Sequence, residues 1–60
     1  MIPQDPVMLL SFVNMKLRDN YNSLEELAEG LDISKDELDA IVQKLNNINY
    51  TYNAERNQFC

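Results

Sequence analysis

Sixty residues with ten Asp/Glu, five Lys/Arg, no His and one Cys give a formal charge of −5. A chain this short makes one domain, buries only about 60% of its unfolded surface, and needs good capping or a partner to stay folded. Its 45% apolar content with one Gly and two Pro excludes a disordered chain, and its longest apolar run, Val7-Met8-Leu9-Leu10, is far short of the roughly 20 residues of a membrane span.

The first element is expected over about residues 5–19. Asp5 is placed to accept bonds from the free N–H groups of a helix start, and Pro6 is tolerated at the first helical position. Leu9, Phe12, Val13 and Leu17 recur at three- and four-residue spacing and form an inner face. Lys16 and Arg18 suit the negative end of the helix dipole. Asn20 is expected to stop the helix in the left-handed conformation.

A second helix is expected over about 23–31. Ser23 and Glu26 stand at capping-box spacing, and Leu24, Leu27, Ala28 and Leu31 give the buried stripe. Gly30 costs up to about 1 kcal/mol against Ala in a helix interior, so the last turn is expected to be loose. Asp32 makes the turn. A third helix over about 34–46 opens on a second capping box, Ser34 to Glu37, with Ile33 and Leu38 at the spacing of a hydrophobic staple. Leu38, Ile41, Val42 and Leu45 face inward, and Asn46-Asn47 ends it.

The tail changes period. Ile48, Tyr50 and Tyr52 alternate with Asn49 and Thr51, which predicts a strand with one buried face. Asn53 to Asn57 is a polar turn, and Gln58-Phe59-Cys60 returns as a stubby second strand. The hairpin, about 48–60, has an open outer edge unless something pairs with it. The fold expected is mainly α: three helices and a short C-terminal β-hairpin in one domain, 1–60.

Residues 24–43 resemble the helix-turn-helix motif. Leu27, Leu31, Ile33, Leu38 and Ile41 fill its apolar positions, Ala28 its small position, and Asp32 stands where the motif usually carries Gly. The strand pair that follows resembles the wing of winged-helix domains, so the arrangement resembles a minimal winged helix. Asp5 to Asn14, Lys16-Leu17-Arg18-Asp19, Tyr50-x-Tyr52 and Asn57-Gln58-Phe59 look like the signature of an uncharacterised family of short bacterial proteins, domain of unknown function 4250. That resemblance spans nearly the whole chain. It implies a compact stand-alone bacterial protein and transfers no activity and no functional residues.

Two binding readings compete. Leu9, Phe12 and Val13 share one face of the first helix, but Met8 and Met15 make a second apolar stripe, with Val7 and Leu10 able to join either. Val7, Met8, Leu10 and Met15 are therefore the candidate protein interface, for another protein or for a homodimer, because Met-rich patches suit adaptable contacts. The alternative is a DNA-binding regulator of winged-helix type. There Lys35, Gln43 and Lys44 on the third helix and Arg56 on the hairpin would meet phosphates or base edges. Asp36, Glu37 and Asp39 oppose that reading, since phosphate binding needs a basic face and seven of the ten acids lie between Glu25 and Asp39. Tyr21, Tyr50, Tyr52, Phe12 and Phe59 are read as core completion and not as base-stacking platforms, since Lys and Arg do not interleave with them.

No catalytic residue, cofactor, metal site, small-molecule ligand or membrane contact is expected. There is no His, the single thiol of Cys60 has no base beside it, and the carboxylates do not follow a calcium-loop pattern. Met1 to Asp5 holds no basic residue, which argues against a secretory signal, and a disulfide-free chain is expected in the reducing cytoplasm.

Overall fold

The computed structural model describes residues 2–60. Three helices run in chain order, α1 (Pro6–Asp19), α2 (Leu24–Leu31) and α3 (Lys35–Asn46), followed by β1 (Tyr52–Asn53) and β2 (Gln58–Phe59). The molecule measures 23 × 23 × 17 Å. Helix α1 is the centre of the assembly: it packs against α2, α3 and β2.

The caps explain where the helices begin. Asp5 accepts from the Met8 N–H and Pro6 opens α1. The Ser34–Glu37 box is complete: the Ser34 hydroxyl accepts from the Glu37 N–H, and the Glu37 carboxylate accepts from the Ser34 N–H. The Ser23 box forms only by half. Ser23 accepts from the Glu26 N–H, but the Glu26 carboxylate takes the N–H of Asn22 instead of that of Ser23.

The helix ends depart further from the sequence reading. Asp32 does adopt the left-handed conformation, φ 57°, and Ile33 N–H closes back on the Ala28 carbonyl. Asn20 does not: its φ is −125°, and its N–H and that of Tyr21 share the Lys16 carbonyl. At the end of α3 the left-handed residue is Asn49, φ 69°, with Tyr50 N–H returning to the Leu45 carbonyl. That closing turn takes up residues 47–49, so Ile48 and Tyr50 are not in a strand and the hairpin is shorter than the alternation suggests.

The hairpin pairs Tyr52 with Phe59 and Asn53 with Gln58, and Thr51 and Cys60 exchange both backbone bonds beyond them. The Asn53 side chain accepts from the N–H groups of Glu55 and Arg56 and folds the turn, which Asn57 leaves in the left-handed conformation, φ 53°. In this register the N–H and C=O of Phe59 point away from β1. Asn14 on α1 meets both: its amide donates to the Phe59 carbonyl at 3.1 Å and its side-chain carbonyl accepts from the Phe59 N–H at 2.8 Å. The outer edge of β2 is thus closed by one side chain.

Leu9, Val13, Leu17, Leu27, Ile41, Leu45 and Phe59 form the buried core. Leu10, Phe12, Tyr21, Leu24, Leu31, Ile33, Leu38, Val42, Ile48 and Tyr52 are half-buried around it. Phe59 tilts against Tyr52 with ring centroids 5.6 Å apart.

Gly30 has a packing reason that the sequence did not show. A Cβ built there would fall on the ring of Tyr21, which lies across the bare backbone of α2. Alanine at this position gains about 1 kcal/mol of helix propensity but displaces the ring. Gly30→Ala is expected to lose that gain in the native background and to show it, about 1 kcal/mol of added stability, in a Tyr21→Ala background. Urea denaturation of the four proteins of this cycle checks it; equal effects in both backgrounds would mean the ring moves aside without cost.

Candidate functional site

The inner side of α1 is consumed by the core through Leu9, Val13 and Leu17. One step round the helix, Asn14 is taken by Phe59. The remaining outer face carries Val7, Met8 and Met15, exposed by 63%, 61% and 44%. Met8 and Met15 stand seven residues apart, close to two helical turns, so they lie in line. Ser11, exposed and small, sits between them. The hairpin borders Met15 but leaves both methionines exposed, since Phe59 turns into the core and Asn14 fixes β2 on the adjoining side.

Leu10 departs from the expected surface. It follows the buried Leu9 directly, and the helical turn carries it to the hairpin side, where it is half-buried against the core. It lines a shallow cleft of about 380 Å³ between α1 and the hairpin, together with Ser11, Asn14, Met15, Arg18, Arg56 and Gln58. No carboxylate lines this cleft.

The basic end of α1 adjoins the same face. The Arg18 guanidinium donates to both oxygens of Asp19, at 2.9 and 3.2 Å. This hydrogen bonding, with the opposite charge, holds the Asp19 carboxyl below its ordinary range and the Arg18 guanidinium above its own. The sign follows: what the pair adds to stability is present above the ordinary carboxylate range and is lost as acid protonates Asp19. Both groups are exposed, so the effect on stability is slight. Lys16 stands over the half-buried Phe12 ring, its Nζ 5.8 Å from the centroid.

The four residues considered for nucleic acid are not gathered on one face. The inner face of α3 is set by Ile41 and Leu45. Opposite it, the helical step places Asp36, Asp39 and Gln43 outward, with Lys35 and Lys44 at the two edges of that face. Lys44 is engaged: its ammonium donates to the backbone carbonyl and the side-chain oxygen of Gln4, at 3.2 and 2.9 Å. That bond seats residues 2–4 across α3 beside a second cleft of about 330 Å³, lined by Ile2, Pro3, Leu9, Glu37, Ala40 and Ile41 as well. Arg56 lies elsewhere, on the cleft between α1 and the hairpin that Arg18 also lines. The reason is Asn57, whose amide donates to the carbonyls of Leu17 and Tyr21 and ties the hairpin turn to the end of α1.

Val7, Met8 and Met15, the sequence candidates, are exposed on this face, and Ser11 and Arg18, which the sequence pattern did not single out, are exposed beside them. The available signal was Ser11's position midway between the two methionines. Among the described residues no group of three Cys, Asp or Glu side chains could hold a metal ion. Among the described residues no helix is long and apolar enough to cross a membrane.

Three helices closed by a two-stranded hairpin, with an apolar outer face on the first helix, define a small helical domain. Residues 3–59 match the family described as a domain of unknown function, DUF4250, and the chain belongs to that family. No curated protein and no solved structure matches it.

Proposed function

We propose that this chain is a protein-interaction module that docks its partner on the outer face of α1. The observation that carries the reading is the exposure of Val7, Met8 and Met15 on the helix that also organises the core. Large apolar side chains lined up on one face are costly to leave in water, and flexible methionines adapt to the surface they meet. In this reading the protein works by binding and not by catalysis, and it works in the reducing cytoplasm, where its exposed Cys60 thiol stays reduced.

The helix-turn-helix resemblance supports the competing reading of a DNA-binding regulator through α2, the turn at Asp32 and α3. Charge weighs against it. The outward face of α3 presents Asp36 and Asp39, Lys44 is held by Gln4, and Arg56 stands at the far end of α1. Phosphate binding calls for basic residues on one face.

The test places a photoreactive amino acid at Met8, Met15, Asp36 or Ala54, four exposed positions, in the living cell. Adducts of defined mass are expected from positions 8 and 15 and not from 36 and 54. Equal yields at all four, or none at 8 and 15, would overturn the docking face. Salt-sensitive binding of duplex DNA by the purified protein, alongside such a failure, would put the regulator in its place.

A further inference from the structure

Resting on that reading, we propose that the partner taken by the outer face of α1 is a second copy of this chain, in an antiparallel, two-fold pairing of the two α1 helices.

Charge points to this face first. Two copies of charge −5 repel each other. Helix α2 carries Glu25, Glu26 and Glu29 with no base, and α3 carries Asp36, Glu37 and Asp39 against Lys35 and Lys44. Helix α1 carries Lys16 and Arg18 against Asp19 alone, and Arg56 adjoins it. It is the one helix of the three that is not negative, so two copies approach most easily there.

The residue order then suits a two-fold axis. The midpoint between Met8 and Met15 falls at Ser11–Phe12. Turning a second helix about an axis through that point reverses its direction and sets Met8 against the copy's Met15, twice. The exposed Ser11 lies at the crossing, where a small side chain lets two helices approach to about 8–10 Å. The same reversal opposes the helix dipoles and brings Asp5, at the start of α1, level with the basic end of the other helix. Burying Val7, Met8 and Met15 in this way extends the buried core. Three exposed apolar side chains on one helix make a small contact beside the roughly 800 Å² per partner of a standard stable complex, so the dimer forms at high protein concentration.

Sedimentation equilibrium from micromolar to millimolar concentration, at low and high salt, tests it. The mean mass is expected to climb from monomer toward dimer with concentration. It should climb further at high salt, because screening weakens the repulsion between like-charged copies. Met8→Lys and Met15→Lys should stay monomeric with an unchanged helical circular dichroism spectrum. In a Cys60→Ser background, Ser11→Cys should oxidise to a disulfide-linked dimer much faster than Asp36→Cys, since a bridge needs the two Cα atoms within about 7 Å. A wild-type protein that stays monomeric at millimolar concentration, or equal oxidation rates at positions 11 and 36, would overturn the second copy. If cross-linking from positions 8 and 15 then yields a different protein, the docking face stands and only the identity of its occupant falls; with no adducts, both fall.

Discussion

Phe59→Ala is expected to leave the chain largely unfolded at room temperature. Phe59 is the last residue but one, yet it is 1% exposed and among the largest fully buried side chains. Its ring closes the core against Tyr52, and its backbone is held on α1 by Asn14. Removing a buried Phe costs about 3–5 kcal/mol. A single core below 70–80 residues rarely supplies more than about 3–5 kcal/mol in all. The far-UV circular dichroism of the variant should therefore lose most of its helical signal, while Phe59→Leu, which keeps much of the volume, should unfold cooperatively at a lower urea midpoint. A Phe59→Ala protein with a native spectrum and a midpoint close to wild type would show that the helices hold together without the hairpin.

The contrast between Phe59 and the helices shows what a sequence exposes. A stripe such as Leu9, Val13 and Leu17, or a box such as Ser34 and Glu37, is local: residues three and four apart meet because the helix makes them meet. The three helices and the methionine line of α1 were legible for that reason. Gly30, Asn14 and Asn57 were not, because each answers to something distant in the chain or across a turn. Gly30 makes room for Tyr21, and Asn14 serves Phe59, 45 residues away. Asparagines look interchangeable in the sequence. Asn20 was expected to be left-handed and is not, whereas Asn49 and Asn57 are. The strand pattern from Ile48 to Tyr52 misled because Tyr50 N–H finds its acceptor in the last turn of α3. The candidate docking face shows the same division. Periodicity located Met8 and Met15, but only the packing of Leu10 beside the hairpin narrowed the surface, and only the Lys44–Gln4 contact showed that one of the four candidate DNA-contacting residues was already engaged.

Asn57→Ala should be the most damaging change at any polar position. Its amide donates to the Leu17 and Tyr21 carbonyls at 3.0 and 2.9 Å, and its side-chain carbonyl accepts from the Tyr52 hydroxyl at 2.6 Å. One side chain thus satisfies acceptors at the end of α1, anchors a tyrosine and fixes the hairpin turn. Left without partners, part-buried polar groups cost about 1–3 kcal/mol. Alanine also has to enter the left-handed region that Asn57 occupies, at about 1–2 kcal/mol. The two contributions separate in a pair of variants. Asn57→Gly relieves the backbone and loses the same bonds, so it should recover about 1 kcal/mol relative to Asn57→Ala and remain well below wild type. Urea midpoints of the three proteins give both numbers. If glycine restored wild-type stability, the conformation alone would explain Asn57, and the bridge between the hairpin and the end of α1 would contribute nothing. If alanine and glycine fell equally, the bonds would carry the whole effect. The expected order, asparagine above glycine above alanine, requires both, and it makes the hairpin turn a fixed part of the α1 scaffold that presents Met8 and Met15.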